Sequence, residues 1–99
     1  MSTLPPSFRG SYRLVVNTGA LGAGVTTIAH GLPVTSTWQW TRIYGAATDS
    51  ATPLGYPMPW AGAAGAYIDL HVTGTNVVID NGSGVTFDKS MVILEFLKS

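Results

Sequence analysis

Hydrophobic and polar residues alternate one by one over several stretches of this chain, and no stretch shows a convincing helical period. Residues 67–73 are the clearest case. Ile68, Leu70 and Val72 fall on one face and Tyr67, Asp69, His71 and Thr73 on the other, the period of a half-buried β-strand. The pattern stops at Gly74-Thr75 and resumes over residues 76–80. A two-residue link with glycine first predicts a type II′ hairpin, because that position requires a positive φ. Residues 91–97 form a closing strand with Val92, Leu94 and Phe96 on one face. Met91, Ile93 and Leu97 make the other face nearly as apolar, and only Glu95 interrupts it. A strand apolar on both faces is covered on both faces, so Met91, Ile93 and Leu97 are the expected oligomer face.

The first half of the chain follows the same period. Residues 11–17 place Tyr12, Leu14 and Val16 on one side, and residues 25–30 are rich in β-branched side chains. Between them, Gly19, Gly22 and Gly24 predict a turn; the spacing lacks the Lys-Ser/Thr of a phosphate-binding loop. Residues 36–44 predict a third strand with Trp38, Trp40, Arg42 and Tyr44 on one face and Gln39, Thr41 and Ile43 on the other. Residues 45–50 lead into a long loop, 53–65, which carries Tyr56, Met58 and Trp60 between prolines. The run at 61–65 holds too much glycine for a helix. Together these patterns predict an all-β protein, a small antiparallel β-sandwich of about six strands with one long Pro/Gly-rich loop. Residues 1–10 are expected to form an extended N-terminal arm, stiffened at Pro5-Pro6, and residues 11–99 a single β-sandwich domain.

Composition adds a reason to expect assembly. A chain of 99 residues buries only roughly 60–65% of the surface its unfolded form exposes. It has no cysteine to staple a thin core. Only 10% of its residues are charged, against roughly 25% in typical soluble domains, so much of its surface is expected to be hidden against copies of itself or another protein. Arg9, Arg13, Arg42, Lys89 and Lys98 are scattered and the net charge is zero, which argues against nucleic acid as a partner. The N-terminus has no apolar signal-peptide core. The longest uncharged stretch, 50–68, is broken by Pro53, Pro57, Pro59, Gly55, Gly62 and Gly65, so it is no membrane-spanning helix.

No catalytic motif is present among Asp49, Asp69, Asp80, Asp88, Glu95, His30 and His71, and the chain is read as non-enzymatic, with no cofactor and no metal of its own. Asp69 and His71 are neighbours on one strand face, where an ordinary polar surface competes with a metal site completed by other copies. His30, just before Gly31, is expected to end a strand and bond nearby backbone. The row Trp38, Trp40, Arg42 and Tyr44 suits a core, a subunit interface or a platform for sugar rings. Phe8, Tyr56, Met58 and Trp60 are candidates for docking on a partner, with cover for a sheet edge as the alternative for the three loop residues.

Four segments carry a family resemblance when taken in order: residues 27–32 (Thr27 to Leu32), 42–48 (Arg42 to Thr48), 68–79 (Ile68 to Ile79) and 92–98 (Val92 to Lys98). The ordered set resembles a β-rich domain of tailed-bacteriophage virion proteins, found at the C-terminal end of tail-fibre, head-fibre and related appendage proteins. The resemblance covers residues 11–98. It implies a symmetric, usually trimeric β structure on the virion surface, assembled in the host cytoplasm, with no enzyme activity and no cofactor. Two departures stand out. Met1 lies about ten residues before the first strand, where a fibre has a shaft, which favours a small capsid-decoration or head-surface component over a tail tip. Trp38-Gln39-Trp40 replaces smaller apolar residues, which keeps a host-surface glycan or receptor open as the alternative ligand.

Overall fold

The computed structural model describes residues 10–98. Eight strands form in chain order: β1 (Gly10–Asn17), β2 (Gly24–Ala29), β3 (Gln39–Asp49), β4 (Leu54–Met58), β5 (Trp60–Ala61), β6 (Tyr67–Val72), β7 (Asn76–Gly82) and β8 (Lys89–Lys98). They make two four-stranded sheets in the orders β1-β8-β3-β4 and β2-β7-β6-β5, and every neighbouring pair is antiparallel. The predicted sandwich is therefore present, with eight strands instead of six. The expected arm, including Phe8, lies outside the described residues except for Gly10, which opens β1.

The two additional strands come from the segment expected to be a loop. Glycine and alanine at 45–47 are weak strand formers, yet β3 continues to Asp49 because β8 pairs with it from Gln39 to Thr48 and β4 pairs with its last five residues. Pairing partners outweigh local propensity here. Pro57 is tolerated because β4 is the sheet edge. The peptide bond Met58–Pro59 is cis, and there the chain passes from the first sheet to the second.

The alternation read in the sequence explains the core. Val92, Leu94 and Phe96 from β8 are buried with Ala47 and Met58 against Ile68, Val77 and Ile79 of the opposite sheet. Leu14, Val16, Ile43, Leu70 and Val72 pack around them. Leu21 and Phe87 close one end through a pair of backbone hydrogen bonds of 2.8 and 2.9 Å. Two buried polar knots hold the loops at this end. Asn81 donates to the carbonyls of Gly22 (3.1 Å) and Val85 (2.8 Å) and accepts from the Ser83 hydroxyl at 2.6 Å. Thr18 and Ser90 join their hydroxyls, and Ser90 donates onward to the Gly19 carbonyl at 2.6 Å.

Thr73, Gly74 and Thr75 separate β6 from β7, and the Thr73 N–H donates to the Asn76 carbonyl at 2.8 Å, so Gly74-Thr75 forms the link as expected but not in the expected turn type. Gly74 is not among the glycines with positive φ. The Thr73 hydroxyl instead accepts the N–H groups of Asn76 (2.9 Å) and Thr75 (3.3 Å). A side-chain oxygen thus takes the part of a turn carbonyl, which the glycine pattern alone does not reveal.

Candidate functional site

The row of four residues foreseen on β3 is divided by a β-bulge. Trp40 lies opposite Phe96 and Arg42 opposite Glu95, with the register shifting between them. Thr41 is the extra residue, so the alternation slips by one and the two halves of the row face opposite sides of the sheet. Trp40 turns inward, edge-on to Phe96 at 5.6 Å and to His30 at 5.9 Å. Trp38 stacks on Phe96 at 5.1 Å with the rings nearly parallel. Both tryptophans are half-buried and belong to the core's aromatic end. Arg42 and Tyr44 stand on the outer face, the guanidinium 4.4 Å from the centre of the Tyr44 ring. No single ligand face contains all four.

The segment Tyr56, Met58 and Trp60 turns inward. Met58 is buried (2% exposed), and Tyr56 meets Trp60 at 4.6 Å and Phe87 at 5.4 Å, both edge-on. Their partners across the strands, Ala47, Gly45 and Ile68, show that all three point between the sheets. They seal the side where the chain changes sheets rather than presenting a row to a partner.

The outward positions of β8 follow the alternation read in the sequence. Met91, Ile93 and Leu97 line the outer face of β8, the second strand from the β1 edge. The pairing puts Val15 beside Ile93 and Tyr44 on its other side, so an apolar row crosses three strands. Val15 is 48% exposed and Met91 40%. The next row is charged: Arg13, Glu95 and Arg42 lie side by side. Glu95 accepts the Tyr44 hydroxyl at 3.0 Å and has one guanidinium on each side at 3.9 Å. The sequence showed Glu95 only as an interruption; the pairing of β8 with both neighbours makes it the hub of the face. Beyond Met91 the face dips into a concavity of about 540 Å³ lined by Val15, Asn17, Ala46, Thr48, Asp88 and Met91. The small side chain of Ala46 leaves the room.

The remaining candidates are accounted for locally. His30 is buried; its Nε2–H donates to the Thr73 carbonyl (2.9 Å) and its Nδ1 accepts the Leu32 N–H (3.0 Å), the backbone role expected of it. Asp69 and His71 face outward from β6, with Asp69 directly opposite Asp80 of β7. The Tyr67 hydroxyl donates to Asp80 at 3.3 Å. The charge of Asp80, helped by some loss of solvent and by this hydrogen bond, holds the Tyr67 phenol above its usual range. Among the described residues no three of His, Asp and Glu cluster as a metal site. The chain matches no protein-family model, no curated protein and no solved structure.

Proposed function

We propose that this chain is a non-enzymatic structural protein of a bacteriophage virion, a capsid-decoration or head-surface component that works as a homo-oligomer. The observation that carries the reading is the apolar outer face of the first sheet, Val15, Tyr44, Met91, Ile93 and Leu97, on which no described strand packs and where Val15 and Met91 are exposed and the other three partly buried. An apolar sheet face of this kind marks a surface made for another protein. The resemblance of residues 11–98 to phage appendage domains supplies the setting, the virion surface. The other proteins of the particle are then its further partners.

Purified particles test the reading. The chain is expected in many copies per virion by quantitative gel densitometry, and Ile93→Lys is expected to abolish its incorporation while leaving the fold intact. A few copies located at the tail would replace decoration with attachment to a host-surface glycan or receptor. Absence from particles would overturn the virion role altogether.

A further inference from the structure

We infer that the free edge of β1 is a self-pairing strand, which joins two copies of this chain into one continuous eight-stranded sheet. β1 is the longest edge of the sandwich: its eight residues pair with β8 without a bulge or a proline. The edges on the opposite side are blunted, since β4 contains Pro57 and β5 is two residues long. Proline and brevity are the usual protections of a sheet edge, and β1 has neither. β2, the other open edge, is shorter at six residues, and its sheet lacks the apolar row that runs from Tyr44 through Ile93 to Val15.

The hydrogen-bond phase of β1 can be read from its end. The Thr18 N–H donates to the Ser90 carbonyl at 3.1 Å, so Thr18 and the alternate residues Val16, Leu14 and Tyr12 turn their backbone groups toward β8. The N–H and C=O groups of Ser11, Arg13, Val15 and Asn17 then point away from it, and no other described strand lies on that side. The side chains of the same edge are incompletely covered: Leu14 and Val16 face the core yet are only half-buried, and Tyr12 is 45% exposed.

One antiparallel register satisfies all of these groups. With Leu14 opposite Leu14 of the second copy, Arg13 faces Val15, Ser11 faces Asn17, and Tyr12 faces Val16, each twice by symmetry. Every free edge group is paired, and the half-buried side chains cover one another. Sliding the strands by one step in one direction sets Arg13 against Arg13, and like charges opposite each other are unfavourable. Sliding in the other direction leaves Ser11 without a strand partner. Across the two-fold axis the apolar row Tyr44, Ile93, Val15 of one copy then meets the charged row Arg13, Glu95, Arg42 of the other, with the stem of Arg13 lying against Val15.

Two sets of variants test this. In the proposed register Leu14 is a non-hydrogen-bonded pair with its Cα atoms about 4.5 Å apart, within disulfide reach. The chain has no cysteine, so Leu14→Cys is expected to give a covalent dimer on mild oxidation and Val16→Cys none; cross-linking of both alike, or of neither, would overturn the register. Sedimentation at low salt reads the second set. Val15→Lys places a cation opposite Arg13 and is expected to weaken dimerisation by about tenfold or more. Val15→Glu removes the same apolar surface but faces Arg13 with a carboxylate, and is expected to keep the dimer. Equal effects of the two variants would overturn the pairing. A wild-type trimer would overturn this inference and leave the self-assembling virion protein standing, whereas a wild-type monomer at micromolar concentration would overturn both.

Discussion

Trp40 and Arg42 are two residues apart in one strand, yet they face opposite sides of the sheet because Thr41 is inserted between them as a bulge. The aromatic residue therefore belongs to the core and the charged one to the outer face.

Trp40→Ala is accordingly expected to destabilise the protein by about 3 kcal/mol, at the lower end for a large aromatic because the ring is half-buried. Arg42→Ala should stay within about 1 kcal/mol, since its ion pair is exposed and long. Urea unfolding of the two variants checks the contrast. Deleting Thr41 makes Trp40 and Arg42 adjacent, which is the relation that opposite faces have in a regular strand. That variant should fold and unfold cooperatively; loss of cooperativity would mean that the bulge itself is required.

Gly45 lies opposite Val92 where β3 pairs with β8, and a methyl group there would collide with the carbonyl oxygen of Met91. Backbone cannot yield as a side-chain tip can. Gly45→Ala is expected to cost about 3 kcal/mol, read from the shift in the urea midpoint. Gly55→Ala, with nothing near the added methyl, serves as the control.

Ser90→Ala removes one member of a buried hydroxyl chain and leaves the Gly19 carbonyl and the Thr18 hydroxyl without it. An unsatisfied buried polar group costs about 1–3 kcal/mol. Adding Thr18→Val should recover part of that loss, because the stranded hydroxyl is removed as well. A strictly additive double variant would show that the two hydroxyls do not act together.

Two outer groups respond to pH in opposite senses. The Asp88 carboxylate accepts the Ser50 N–H at 2.8 Å, which holds it below its usual range. A depressed acid favours the fold above its unfolded-state value, and the gain is lost as pH falls through the folded one. The Ser50 amide signal should therefore shift in acid below the ordinary aspartate range, and Asp88→Asn should abolish that titration. Tyr67 is raised, so its contribution is present below the ordinary phenol value and is lost as pH rises through the folded one. Asp80→Asn should bring its ionisation back toward 10.0, the unperturbed value, as followed by ultraviolet absorbance.

The inward sets Tyr12, Leu14, Val16 and Val92, Leu94, Phe96 were legible from a period of two, and so was the apolar outer face of β8. Alternation carries that information directly, and the sandwich follows from it. The split at Thr41 was not legible, since a bulge depends on how β8 lines up with β3 and leaves no mark in composition. The strands at Leu54–Met58 and Trp60–Ala61 were hidden for a related reason. Prolines and glycines disguised them locally, and only their partners across the sheet define them. Glu95 looked like a blemish in an apolar run until Arg13 and Arg42 were brought in from two other strands.

Gly10 and Lys98 are directly paired across β1 and β8, so the two ends of the described chain leave the sandwich side by side. Such a domain can be re-cut. A short linker could join its ends, and new ends could be opened at the exposed Gly74-Thr75 link without disturbing any inward side chain. The same closeness suits it as a cassette: spliced into a surface loop of another protein, it would need the host chain to part by only about 5.5 Å, the width of one hydrogen-bonded antiparallel pair.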